Sequence, residues 1–119
     1  MVDLHQTHEA IEKSIKRLEK VTGYLDKAGD EKAKAIAAYD LAIAIATAKL
    51  ALGTVKQVGG VALDGRPPAT LIAKYAPGLC HEERANVEIA SNGYKSVSTK
   101  ITVLLAILSA QQSIFRHLQ

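Results

Sequence analysis

The stretch from Ala90 to Leu118 constrains the fold more than any other part of the chain. Taken in alternating steps of four and three it reads Ala90, Tyr94, Val97, Ile101, Leu104, Leu108, Gln111, Phe115 and Leu118, apolar or Tyr everywhere except Gln111. A repeat of about 3.5 residues describes one long helix with a continuous packing seam. A second apolar row, Val103, Ile107, Ala110 and Ile114, runs beside the first. A helix that is apolar on two sides must be covered from two sides. Beyond Ile89 there is no carboxylate, while Lys95, Lys100 and Arg116 remain, so the surface left over is positive.

Upstream, Leu4, His8, Ile11, Ile15, Leu18, Thr22 and Leu25 form one stripe at helical spacing, with Glu9, Glu12, Lys13, Lys16, Arg17, Glu19 and Lys20 on the other face. Asp3 or Thr7 can cap this amphipathic helix. Lys27-Ala28-Gly29 reads as its stop and Asp30 as the cap of a second helix, with Glu31 in the first turn. That second helix is Ala-rich and runs to Val58, where Gly59-Gly60 end it. Its apolar residues again form two rows, Leu41, Ile45, Ala48, Leu52 and Val55, and Ile36, Ile43 and Leu50. Gly65 and Pro67-Pro68 break the following segment, Pro68 opens a short helix through Tyr75, and Ala76-Pro77-Gly78 stops it. Glu82 and Glu83 then open the last helix, whose continuity through Gly93 the sequence leaves open. The expected architecture is all-α: three long helices and a short one in a single domain of residues 1–119. Its parts are a first helix over 1–29, a second over 30–58, a loop and short helix over 59–79 and a long helix over 80–119.

At 119 residues, 48% of them hydrophobic and 23% charged, the chain supports one modest core. Two helices apolar on two sides are too much for a lone copy to cover, which predicts self-association, with Tyr94, Val97, Ile101, Leu104, Leu108 and Phe115 as the oligomer seam. Residues 1–31 hold seven acids against five Lys/Arg, net −2, and residues 32–119 hold ten Lys/Arg against five acids, net +5. A basic body points to an anionic partner, with nucleic acid the commonest, against the plainer reading of a helical protein with a solvated basic face. The one cysteine, Cys80, excludes an internal disulfide framework and fits a reducing compartment. The acidic start does not read as a signal peptide. The longest apolar runs, Leu41 to Ala48 and Ile101 to Ala110, fall short of the roughly 20 residues a membrane span needs, so a cytoplasmic location without membrane contact is expected.

Chemistry-bearing motifs are sparse. His5 and His8 are a weak metal pair, and no Glu stands three residues before any of the four histidines, as a carboxylate-bridged di-metal bundle requires. Cys80 and His81 are neighbours in sequence and do not face each other on a helix. Gly59-Gly60 lacks the Gly-Lys-Ser/Thr that completes a phosphate loop. These absences argue against an enzyme, a metal site and a cofactor. The basic residues remain: Lys49 and Lys56, seven apart, Arg66 and Lys74 about the Pro-Pro junction, and Lys95, Lys100 and Arg116 on the last helix. Repeated around an oligomer they would make a positive surface that grips a nucleic-acid backbone without regard to sequence. Tyr24 and Tyr75 are the aromatics free to stack, since Tyr39 and Tyr94 sit where a core wants them.

The order of short motifs is also familiar. Ala38-Tyr39 and Ala46-Thr47-Ala48-Lys49-Leu50 are followed by Gly65-Arg66-Pro67 leading into Thr70-Leu71-Ile72, then Ala76-Pro77-Gly78, an acidic turn, Tyr94-Lys95, and Leu108-Ser109-Ala110-Gln111-Gln112-Ser113-Ile114-Phe115-Arg116. Over roughly residues 33–117 this resembles a family of small phage and prophage proteins similar to the UvsY-type recombination mediators. The resemblance implies a ring-like homo-oligomer that binds single-stranded DNA and helps load a recombinase onto strands coated by single-strand-binding protein. It places DNA contact near the end of the second helix, where this chain has only Lys49 and Lys56. The alternative is a small helical protein-protein interaction or regulatory module without nucleic-acid binding.

Overall fold

The computed structural model describes residues 3–119. The order of elements is α1 (Leu4–Ala51), β1 (Gln57–Val58), β2 (Val61–Ala62), α2 (Ala69–Tyr75), a 3-10 turn (Ala76–Leu79) and α3 (His81–Leu118). The fold is all-α apart from one small hairpin. It has two long helices, of 48 and 38 residues, where the sequence predicts three.

The predicted break at Gly29 and the predicted cap at Asp30 are both corrected, because α1 runs through them without interruption. Glycine in a helix costs about 1 kcal/mol relative to Ala. Here packing offsets it: the Tyr94 ring lies beside the helix, 3.5 Å from where a Cβ on Gly29 would stand. α3 likewise passes through Gly93.

The end of the second predicted helix is also corrected, from Val58 to Ala51. Gly53, at φ +73°, provides the left-handed residue that terminates α1. Its N–H donates to the Leu50 carbonyl at 3.1 Å, and Thr54 N–H donates to that of Lys49 at 3.2 Å, which satisfies two carbonyls of the last turn. Gly59 and Gly60 are the loop of a hairpin. Both have positive φ, +53° and +82°, the conformation a tight two-residue turn requires. β1 and β2 pair antiparallel, Gln57 with Ala62 and Val58 with Val61.

Contacts group the chain into two compact units. The first comprises residues up to Asp30 together with Asn92–Gln119. Its described part is two antiparallel helical segments. Ser14 Oγ donates to Gln111 Oε1 at 2.7 Å, and the His8 and Phe115 rings lie 6.2 Å apart. The predicted seam of α3 holds: Tyr94, Val97, Ile101, Leu104, Leu108, Gln111 and Phe115 are all partly buried, while Leu118 is exposed. The predicted stripe of α1 is rotated. Its buried or partly buried line is Thr7, Ile11, Ser14, Leu18, Val21, Leu25 and Ala28, whereas Leu4, His8, Ile15 and Thr22 are exposed. Two polar residues are tolerated in that line because each has a partner: Ser14 in Gln111, and Thr7 in the Asp3 carbonyl, which accepts from Thr7 Oγ1 at 2.9 Å. Asp3 caps the helix, its Oδ1 accepting from Gln6 N–H at 2.8 Å.

The second unit, Glu31–Ser91, contains the core. Ala46, Leu50, Val58, Ile72, Ala76 and Cys80 are buried together, with Leu50 fully enclosed, and Tyr39, Ile43, Val55, Leu63 and Tyr75 pack around them. The predicted rows of the second helix are corrected here. Leu41, Ile45, Leu52 and Ile36 are exposed, and the inward line is Tyr39, Ile43, Ala46 and Leu50. Pro68 is the N-cap of α2, and its carbonyl accepts from Leu71 and Ile72 N–H.

Candidate nucleic-acid interface

Lys49, Lys56, Arg66 and Lys74 are all exposed in the Glu31–Ser91 unit. The backbone places the first three about the end of α1 and the hairpin that follows it. Lys49 sits in the last turn of α1, and its carbonyl accepts from both the N–H and the Oγ1 of Thr54. Lys56 leads into β1, and its carbonyl accepts from Leu63 N–H at 2.7 Å, closing the base of the hairpin. Arg66 comes back beside the end of α1, with its backbone nitrogen 3.2 Å from where a Cβ on Gly53 would stand. The left-handed Gly53 therefore performs two tasks. It ends the helix and lets the Gly65-Arg66 backbone approach. Lys74 lies in the last turn of α2.

Between residues 49 and 74 the chain carries these four cations and one carboxylate, Asp64. Among the described residues none of the four cations forms an ion pair, while His5 Nε2 lies 3.3 Å from Glu9 Oε1 and His8 Nε2 lies 3.2 Å from Glu12 Oε1. Exposed, unpaired Lys and Arg keep their hydration and are available to phosphate oxygens. Of the stacking candidates, Tyr24 is 51% exposed but belongs to the first unit, where Lys20 Nζ stands 6.0 Å over its ring. Tyr75 is partly buried against the core.

A cleft of 390 Å³ beside this corner is lined by Ala46, Lys49, Val55, Cys80 and Glu83 among others. Burial pushes the Cys80 thiol above its ordinary value, and the nearby Glu83 carboxylate adds to the effect. A thiol held protonated in this way is a poor nucleophile. Glu82 and Glu83 occupy the first turn of α3, where the helix dipole favours negative charge.

The residues predicted as an oligomer seam lie elsewhere and are already engaged. Tyr94 is against Gly29 and Phe115 is beside His8, while Val97, Ile101, Leu104 and Leu108 share their partly buried line. That seam is used within one chain. The second row is the one left bare: Val103, Ile107 and Ile114 are 53%, 43% and 47% exposed. The apolar runs taken alone are short, yet α3 contains an 18-residue window of mean hydropathy 1.2, long and apolar enough by length and composition to cross a membrane and not buried within the chain. No family profile, no curated protein and no solved structure matches this chain.

Proposed function

We propose that the chain is a self-assembling helical protein that holds single-stranded DNA on its Glu31–Ser91 unit and acts as a recombination mediator of phage or prophage origin in the host cytoplasm. The observation that carries the reading is the gathering of Lys49, Lys56 and Arg66 at the helix end and hairpin, exposed and without ion-pair partners. A few such cations per copy bind weakly, and their repetition in an assembly multiplies the contact. Backbone contact of this kind ignores sequence and weakens with salt. The handover of the strand to a recombinase, in competition with single-strand-binding protein, is what the family resemblance contributes.

The test is a fluorescence-anisotropy titration with a labelled oligonucleotide. Binding at low salt should fall as salt rises, by about 0.7 in log affinity per log salt for each phosphate engaged. The triple variant Lys49→Glu, Lys56→Glu, Arg66→Glu should abolish it. A flat titration with the unmodified chain removes the DNA role.

One observation favours the second reading, a protein-only interaction module: the bare row Val103, Ile107 and Ile114 is apolar, and no acid accompanies it on that part of α3. Capture of one protein partner that survives high salt, together with no DNA binding, would select it.

A further inference from the structure

Charges on the first unit repeat with the period of its seam. Glu12, Glu19 and Asp26 are seven residues apart, and each is followed directly by a lysine, Lys13, Lys20 and Lys27. All six are exposed. Successive residues on a helix are turned by about 100°. Against the seam line of Ile11, Ser14, Leu18, Val21 and Leu25, the acids therefore fall on one side of α1 and the lysines on the other. The placement of the neighbours agrees. An open groove of 590 Å³ takes Arg17, Lys20 and Tyr24 from α1 and Lys100, Val103 and Ile107 from α3, and no carboxylate lines it. On the acid side Glu12 pairs with His8, and Ile15 and Leu105 are 40% and 52% exposed. Each side of this unit is thus an apolar strip with a heptad row of one sign beside it, from which the exposed Glu9 and Lys16 depart.

The chain cannot join these two sides to each other, because they point apart on the same helix. Among the described residues Glu19, Asp26, Lys13 and Lys27 form no ion pair within the chain. A second copy lying parallel and displaced sideways does join them. Because acid and lysine are adjacent in sequence, a parallel neighbour presents Glu12, Glu19 and Asp26 at the heights of Lys13, Lys20 and Lys27. The same shift sets Ile15 and Leu105 of the neighbour toward Val103 and Ile107. We infer that the groove of residues up to 30 and 92–119 is filled by the acid side of a second copy of this chain. The apolar strips hold the contact, and the heptad charges fix its register and orientation. The two surfaces are different, so the contact is heterologous: each copy keeps one free side of each kind, and assembly goes on until it closes. This inference rests on the self-assembly reading above and specifies its interface.

The experiment uses two full-length variants, each measured alone and mixed, by light scattering and native mass spectrometry, with helical circular dichroism as the check of folding. One carries Glu12→Lys, Glu19→Lys and Asp26→Lys, making both sides basic. The other carries Lys13→Glu, Lys20→Glu and Lys27→Glu, making both sides acidic. Each alone should run as a folded monomer, and the equimolar mixture should regain the mass of the parent assembly with the two chains in equal number. The milder Glu19→Lys and Lys20→Glu variants should show the same pattern at lower salt tolerance and cover the case of a misfolded triple variant. Parent and variants all assembling alike would overturn this contact and leave self-assembly standing, whereas a monomeric parent would remove both. Unchanged assembly combined with loss of oligonucleotide binding in the lysine variant would give the groove to nucleic acid and overturn it too.

Discussion

The two units solve the same packing problem with different amounts of material. In Glu31–Ser91 the end of α1 and the start of α3 are joined by the hairpin, α2 and the 3-10 turn, and the buried apolar cluster of the described chain lies there. In the other unit two helical segments meet with nothing else to cover them, and its buried residues are Thr7 and Ser14, both polar. Two helices can make a seam, but each side chain on the seam keeps an open flank. A third layer turns a seam into a core. Hence Leu50 is fully enclosed while Leu104, on an equally regular line, is only partly buried.

The sharpest way to break this contrast is to truncate one leucine in each unit. Leu50→Ala should cost about 2–5 kcal/mol, as expected for a cavity in an enclosed site. Leu104→Ala should cost about 1 kcal/mol, the ordinary effect of a substitution outside a core. Urea unfolding followed by the helical signal measures both. Equal costs would mean that the two-helix unit acquires a core of its own, and a concentration series would show whether other copies provide it.

Glycine gives a second comparison with smaller effects. Gly53→Ala should lose about 1–2 kcal/mol, because the residue is left-handed at φ +73° and the Arg66 backbone is close by. Gly29→Ala should gain up to about 1 kcal/mol, since its helical conformation suits alanine and the new methyl would meet the Tyr94 ring at an ordinary contact of 3.5 Å. Thermal melts of the two variants should move in opposite directions. A loss at both positions would mean that Tyr94 cannot tolerate the methyl.

The smallest expected effect concerns the polar pair in the two-helix seam. Ser14→Ala should cost about 1 kcal/mol by leaving the Gln111 amide short of a partner. Adding Gln111→Leu should return most of it, because both polar groups are then gone. If the double variant is no better than the single one, the pair serves to fix register rather than to satisfy a buried group.

Much of this was legible in the residues. The 3.5-residue line of α3 was readable because a long helix facing one partner must repeat its apolar side at that interval. The short helix after Pro68 and the acidic opening of α3 followed from local rules that need no tertiary information. The four cations of the candidate interface were readable as residue types, while the placement of Lys49, Lys56 and Arg66 about the helix end and hairpin was not. It depends on a hairpin four residues long in its strands and on a turn at Gly53 whose partner is thirteen positions away. The sequence signal for that turn was present, a glycine just past an apolar helix, and Gly29 offered the same signal with the opposite outcome.

That pair of glycines marks the division between what the chain states alone and what packing settles. Sequence by itself determined that long helices form, where one of them places its seam, and that apolar surface exceeds what two helices can cover, because these follow from the periodicity and composition of each segment. Tertiary structure decided that residues 27–31 continue a helix and residues 51–54 end one. At Gly29 the Tyr94 ring borders the space a side chain would take and the seam carries on past it, so the propensity cost is offset. At Gly53 returning backbone occupies that space, and only a left-handed residue allows it to pass.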